Sequence, residues 1–353
     1  PPAAAASFKA VCSGGSTGRP KLIVADQPAV VGSLLPLAQL LHVVERDALL
    51  ITGPLHHNGP FTTSLCGLVL GGHLVVMERF DPQEALTLID RHRVTWMYAV
   101  PTMMSRIWKL PKNFRDGPDV SSLRVVMHMA APCPGWLKRA WIDWLGPSRI
   151  LELYTATEVQ AATVVTGEEW LARPGTVGKA VVGEIQILGD DGQAVPPGVE
   201  GEVWMRRGPG LVAPYHYVGA EPRQRDGGWE SVGDTGRLDD DGYLYLADRT
   251  MDKILVGGAN VYPAEVEAAI LRHPAVRSAV VIGLPHRDLG QVPHALVELE
   301  SEVSDEDLLE VLRSQLVSYK LPRTFERVSE PLRDEAGKVR RSGLAEGRIA
   351  MPS

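Results

Sequence analysis

Ile150-Leu151-Glu152-Leu153-Tyr154-Thr155-Ala156-Thr157-Glu158 begins as an apolar run and ends as a polar one. Residues 150–154 read as a buried strand, and the change of character marks its C-terminal end. Working back along the chain, 136–145 reads as a helix and 123–129 as another strand. The segment opened by Pro101 carries Met103, Met104, Ile107 and Trp108 at helical spacing, and 94–100 before it is a third apolar strand. Asp81-Pro82-Gln83-Glu84 opens a further helix. Asp81 can cap it, Pro82 suits its first turn, and Glu84 favours the positive end of its dipole. Strand, helix, strand in this rhythm predicts a largely parallel sheet with helices on its faces. Such sheets bind ligands outside the carboxyl ends of their strands, so chemistry is expected at Tyr154–Glu158.

The character changes after Arg173. Residues 181–188 and 202–206 read as strands, set apart by the turn signals Asp190-Asp191-Gly192 and Pro196-Pro197-Gly198. A third pattern starts near Met251: a helix over 263–273 stopped by Pro274, strands over 276–284 and 294–300, and a helix capped by Ser304 that carries Leu308, Val311, Leu312 and Leu316. The expected division is an α/β part over 1–175, a β-rich subdomain over 176–250 and a small α+β domain over 251–353.

Bulk properties exclude several function classes. The 353 residues are 44% apolar and 22% charged, as in an ordinary globular protein. A net charge of −7 gives no pull towards nucleic acid or anionic lipid. No apolar run is long enough to cross a bilayer, and no signal peptide opens the chain. Cys12, Cys66 and Cys133 are far apart and form no Cys-x-x-Cys pair, which argues against zinc and disulfide frameworks and for reduced cysteines in a cytoplasmic protein.

Five polar stretches carry chemistry. Ser13-Gly14-Gly15-Ser16-Thr17-Gly18-Arg19-Pro20-Lys21 follows a short strand over 9–12. Its glycines let N–H groups turn towards an anion, and the hydroxyls and Lys21 add donors and charge, which suits a polyphosphate. It fits neither Walker A nor Gly-x-Gly-x-x-Gly, and alone it reads more readily as a plain turn. In Tyr154-Thr155-Ala156-Thr157-Glu158, Glu158 can hold Mg²⁺, Thr157 can donate to phosphate and Tyr154 can pack on a base. In Gly233-Asp234-Thr235-Gly236, the Asp234 carboxylate suits a ribose diol, and Asp248-Arg249 follows. Gly257-Gly258-Ala259-Asn260-Val261-Tyr262-Pro263 reads as a flexible loop feeding a helix. Gly337-Lys338-Val339-Arg340-Arg341 places a cation in a polar loop near the end of the chain.

Singly these signals are weak, but their order and spacing from Ser13 to Arg341 resemble the adenylate-forming superfamily of acyl- and aryl-CoA synthetases, adenylation domains and luciferases. The phosphate loop is most similar to that of bile-acid-CoA ligase-type enzymes. The resemblance implies a large N-terminal portion and a small mobile C-terminal domain that turns between two half-reactions. It also implies that an N-terminal segment of the large domain is absent from this sequence.

By motif, the resemblance assigns Ser16, Thr17, Gly18 and Lys21 to the ATP phosphates. Ala130, Ala131 and Pro132 fall in the adenine-pocket segment. Tyr154, Thr157 and Glu158 match the adenine, phosphate and magnesium positions, and Asp234 the ribose position, with Arg249 nearby. Lys338 matches the lysine that bridges substrate carboxylate and α-phosphate. His57 falls at a gate beside the acyl pocket, with Met129 and Thr155 lining that pocket. Thr155 stands where the family usually has Gly. Gly257, Gly258 and Asn260 join His57 at the thiol tunnel, and Met251 occupies the hinge position. Phe61 is followed by Thr62, where amino-acid-activating relatives place Asp, which implies an acid without an α-amine.

The expected activity is formation of an acyl-AMP from ATP with Mg²⁺, followed by transfer to coenzyme A. A ligase specialised for one half-reaction, with a carrier protein as thiol partner, is one alternative; an inactive nucleotide-binding relative is another. A homodimer is the oligomer considered.

Overall fold

The computed structural model describes residues 4–14, 20–208, 215–247, 252–334 and 337–349. The chain divides into two compact units. One comprises 1–130, 136–232 and 236–246, the other 131–135, 233–235 and 247–353.

The first unit is built on a seven-stranded sheet in the order His73–Val76, Ala48–Ile51, Trp96–Ala99, Val125–His128, Ile150–Thr155, Ala162–Thr166, Lys179–Val182. The first five strands run parallel, and the last two turn antiparallel. Leu49, Ile51, Trp96, Tyr98, Met127 and Leu153 cover one face against Leu34 and Leu37 of helix Val31–Leu40 and Cys66 of helix Asn58–Val69. Successive side chains alternate between faces, so Leu50, Met97 and Val126 point the other way and are equally buried. Two-sided burial is what continuous apolar strands require. On helix Pro82–His92, Asp81 caps as expected, accepting from the N–H groups of Gln83 and Glu84 at 2.9 Å each.

Among the described residues, four α-helices of this unit escape the sequence reading: the short Lys112–Arg115 and Gly167–Ala172, and two longer ones. Val31–Leu40 contains Pro36, and Asn58–Val69 begins Asn-Gly-Pro. Their local propensity is poor, and packing on the sheet overrides it. The single strand expected over 181–188 is two strands, Lys179–Val182 and Glu184–Leu188, which belong to different sheets. Gly183 separates them with φ 68°, and a Cβ there would stand 2.5 Å from the Gln160 carbonyl and 2.6 Å from that of Arg206. Only glycine fits a backbone that turns and passes so close to its neighbours. A separate antiparallel sheet pairs Pro20–Ala25 with Ala10–Gly14 on one side and Tyr215–Val218 on the other.

In the second unit, Val276–His286 and Gly290–Leu299 form a long hairpin, joined by Ile254–Val256, Ala259–Val261 and a parallel Thr324–Arg327. Helices Pro263–Ile270 and Asp305–Arg313 bury Val266, Ile270, Leu308 and Leu312 against this sheet, and helix Arg341–Ile349 packs with Val280, Ile282 and Leu296. Ser304 and Asp307 form a reciprocal capping box. Among the described residues no helix is long and apolar enough to cross a membrane.

Candidate active site

The chain bends sharply after Ile150–Thr155. The Val159 N–H donates to the Ala156 carbonyl at 3.0 Å, and the Thr155 hydroxyl closes the base of the loop by donating to the Ala161 carbonyl at 2.8 Å. Val159 has φ 53°, in the left-handed region that a β-branched residue rarely enters. Strain of this kind persists only where surroundings over-determine it, and it gathers at functional sites.

What the bend presents is Glu158, 7% exposed. Its Oε1 accepts from the Tyr217 hydroxyl at 2.5 Å and from Lys21 Nζ at 3.3 Å. Lys21 Nζ also lies 3.7 Å from the centroid of the Tyr217 ring, a cation–π contact. Strand pairing explains the convergence: Lys21 and Tyr217 come from adjacent strands in which Ile23 faces Tyr217.

A second buried carboxylate, Glu230, backs the first. It accepts from Gln160 Nε2 at 3.0 Å, the Tyr215 hydroxyl at 2.9 Å and Arg207 Nη1 at 3.2 Å. Arg207 Nη2 donates to the Glu158 carbonyl at 3.2 Å, tying the two groups together. Burial pushes both phenols well above the usual tyrosine range, aided at Tyr217 by the hydrogen bond to Glu158. Both therefore remain proton donors throughout the physiological range.

Lys9 completes the underside of the bend. It is 8% exposed, and its Nζ donates to Asn58 Oδ1 at 2.7 Å and to the Thr157 carbonyl at 3.1 Å. Burial pulls its pKa down to about 8, and the Glu158 charge works against that fall.

Of the residues singled out from sequence, the first unit thus brings Lys21, Thr157 and Glu158 together, with Tyr154 on the same strand end. Ala130, φ 74°, lies two residues past the neighbouring Val125–His128 strand, and Met129 before it is buried in the core. His57 stands at the N-cap position of helix Asn58–Val69 with its ring 4.3 Å from that of His56. Ser16, Thr17, Gly18, Arg249 and Met251 lie outside the described residues.

Asp234, Ala131 and Pro132 belong to the second unit. There Gly257 and Gly258, φ 57° and 88°, form a two-residue turn between Ile254–Val256 and Ala259–Val261. The expected flexible loop is instead a tight hairpin, because two consecutive positive φ angles match the twist of paired strands. Asn260 sits exposed on its second strand.

Lys338 is also exposed, while its backbone is held: its N–H donates to Asp334 Oδ1 at 2.8 Å and its carbonyl accepts from the Asp334 N–H at 2.9 Å. Arg333 and Arg341, on either side of this loop, each reach the buried Glu267 carboxylate at 2.7 Å.

Sequence reasoning missed Lys9, Arg207, Tyr217 and Glu230. The alternation Tyr215-His216-Tyr217 was a usable strand signal. Lys9 gave none, since nothing in the sequence marks a lysine as buried.

A resident metal would have to suit this donor set. Among the described residues there is no group of three or more His, Cys, Asp or Glu side chains placed to hold a metal. One hard carboxylate at Glu158 fits magnesium, which is commonly bound through one or two carboxylates plus substrate phosphates.

The chain is similar to known proteins over most of its length. The family model of the AMP-binding enzymes matches residues 11–216, and that of the AMP-binding enzyme C-terminal domain matches 265–338. The 2-succinylbenzoate–CoA ligase of Bacillus velezensis is 35% identical over 337 residues, covering 95% of this chain and 67% of the relative. The long-chain-fatty-acid–CoA ligase FadD13 of Mycobacterium tuberculosis is 32% identical, covering 94% and 66%. The chain therefore spans about two thirds of the length of these relatives. The solved structure of Bacillus subtilis o-succinylbenzoate CoA synthetase with its acyl-adenylate intermediate superposes with a TM-score of 0.79 at 30% identity, covering 95% of this chain and 68% of that one. The same enzyme with ATP and magnesium gives a TM-score of 0.78 at 30% identity, covering 95% and 69%. With the bend at Glu158, the lysine that meets it and both family models in register along one chain, this protein belongs to the AMP-binding, adenylate-forming enzymes.

Proposed function

We propose that this protein activates a carboxylic acid with ATP and magnesium as an acyl-adenylate and then passes the acyl group to coenzyme A. The observation that carries the reading is the buried Glu158 carboxylate meeting Lys21 at the carboxyl end of a parallel strand, in a chain similar to acyl-CoA ligases.

Attack of a carboxylate on the α-phosphate brings two anions together, so the barrier is largely electrostatic. Lys21 and Glu158 form an ion pair at 3.3 Å. In this reading nucleotide binding separates them, and Lys21 turns to the phosphates. Glu158 would hold a magnesium ion, which would supply charge neutralisation on the polyphosphate. Lys338 is assigned to the substrate carboxylate and α-phosphate. Tyr217 and Arg207 hold the Glu158 side chain and backbone in place. The carboxylate oxygen bonds to the α-phosphorus as pyrophosphate leaves, and thiol attack on the acyl carbon then releases AMP.

Thr62 bears on substrate class. It is buried, and its hydroxyl donates to Asn58 Oδ1 at 3.3 Å. A neutral residue there gives an α-ammonium no partner, which supports an acid without an α-amine. The narrower likeness to ligases of bile acids rests on the phosphate-loop stretch.

Carboxylate-dependent exchange of pyrophosphate into ATP, run over fatty, aryl and steroid acids, tests the proposal. Thioester formation from a synthetic acyl-adenylate, with CoA against a carrier protein, tests the acceptor. Absence of exchange with every acid, in protein that binds ATP, would refute the adenylating role.

A further inference from the structure

We propose that Lys9 is a positioning residue for the Glu158 centre, its buried ammonium fixing the Thr157–Glu158 bend to the start of the helix that follows His57. This inference rests on the reading of Glu158 as the magnesium carboxylate.

Three separate segments meet at one nitrogen. Lys9 lies just before strand Ala10–Gly14, and its backbone carbonyl accepts from the Ala25 N–H at 3.0 Å, so its own position is set by the sheet that carries Lys21. Its Nζ then joins Asn58, the first residue of helix Asn58–Val69, to the Thr157 carbonyl. Thr62, one turn on, donates to the same Asn58 oxygen. A lysine costs free energy to bury and is almost never fully buried unless paired. Here the two direct partners are neutral oxygens, and the nearest compensating charge is Glu158 itself. The cation is therefore held by the segment whose geometry matters most for phosphate and magnesium, on a bend already strained at Val159.

The test uses the full-length protein with Lys9→Met, Lys9→Arg and Glu158→Gln, following exchange kinetics, the magnesium requirement, calorimetric Mg·ATP affinity and cooperative unfolding. Lys9→Met is expected to unfold cooperatively yet need about tenfold more magnesium, as for a lost outer partner of a metal ligand, with the KM for the acid within twofold of wild type. Lys9→Arg, which keeps a charge, should recover part of the magnesium affinity. A wild-type magnesium requirement in Lys9→Met would overturn the inference. If Glu158→Gln abolishes the magnesium response while Lys9→Met behaves as wild type, only the role of Lys9 falls. If Glu158→Gln is silent, the reading of Glu158 falls with it.

Discussion

Lys138 Nζ lies 2.6 Å from Glu152 Oε2, with the Lys138 side chain 1% and the Glu152 side chain 10% exposed. Glu152 sits two residues before Tyr154, so this pair ties the helix Gly135–Leu145 to the strand that leads into the Thr157–Glu158 bend. Burial alone would push the Glu152 carboxyl up; the Lys138 ammonium bonded to it more than offsets that, and its pKa lies below the usual value. Removing one partner leaves an unpaired buried charge, so Lys138→Met should cost about 3–5 kcal/mol in denaturant unfolding. Lys138→Met with Glu152→Leu should recover most of that loss. Equal destabilisation in the double variant would show that packing, rather than charge, is what the site provides.

His128 is the third member of this buried group, 4.0 Å from Glu152 Oε1, with neither ring nitrogen hydrogen-bonded. Burial pulls its pKa from 6.5 down to about 4. A folded pKa below the unfolded one means that the unfolded chain binds more protons between those values. The stabilisation is thus complete above pH 6.5 and lost as pH falls towards about 4. The loss should approach about 3 kcal/mol over that window, and His128→Leu should flatten it. Chemical denaturation at a series of pH values reads both. An unchanged slope in His128→Leu would assign the acid sensitivity to other groups.

Three strands of the parallel core, Trp96–Ala99, Val125–His128 and Ile150–Thr155, were legible because they are apolar runs punctuated by Pro101 and capped helices; Ala48–Ile51 and the short, half-exposed His73–Val76 were not read. The Lys21–Glu158 centre was legible only as separate motifs, since its closure depends on a strand register with Tyr217 that sequence order conceals. Lys9 and Glu230 were invisible for a different reason. A charged residue reads as surface until a structure shows its burial. Helix Val31–Leu40 was hidden because Pro36 contradicts it locally.

Glu158→Gln keeps the size of the side chain and an acceptor for the Tyr217 hydroxyl, and removes the charge that faces Lys21. The fold should survive, because the Arg207 contact to the Glu158 backbone carbonyl is untouched. Exchange should fall about a hundredfold, a loss of about 2.7 kcal/mol in transition-state stabilisation. An unaltered rate across a magnesium titration would remove Glu158 as the ligand.

Glu267 holds Arg333 at one oxygen and Arg341 at the other, and Oε1 also accepts from the Val281 N–H at 2.9 Å. Glu267→Ala leaves two guanidinium groups facing an empty buried site, and should destabilise the second unit by about 3–5 kcal/mol. Hydrogen exchange should show the added opening in the strands Val276–His286 and Gly290–Leu299. The same change confined to the chain ends would mean that the carboxylate is not what closes this core.

Lys338 lies between those two arginines, paired through its backbone with Asp334. Asp334 holds its backbone on both sides, Gly337 turns before it with φ 76°, and the side chain is exposed. The backbone is thus fixed by groups that do not involve the ammonium, and Lys338→Ala should unfold like the wild type. If the ammonium serves the meeting of carboxylate and α-phosphate, its loss removes charge stabilisation from the first half-reaction alone. Pyrophosphate exchange should then drop by about a hundredfold to a thousandfold, the scale of losing one preorganised group at developing charge. Thioester formation from a supplied acyl-adenylate should stay within a few-fold of wild type, because the mixed anhydride is already made. Losing both rates equally would place Lys338 in acyl or thiol binding and leave the phosphoryl step without its assigned cation.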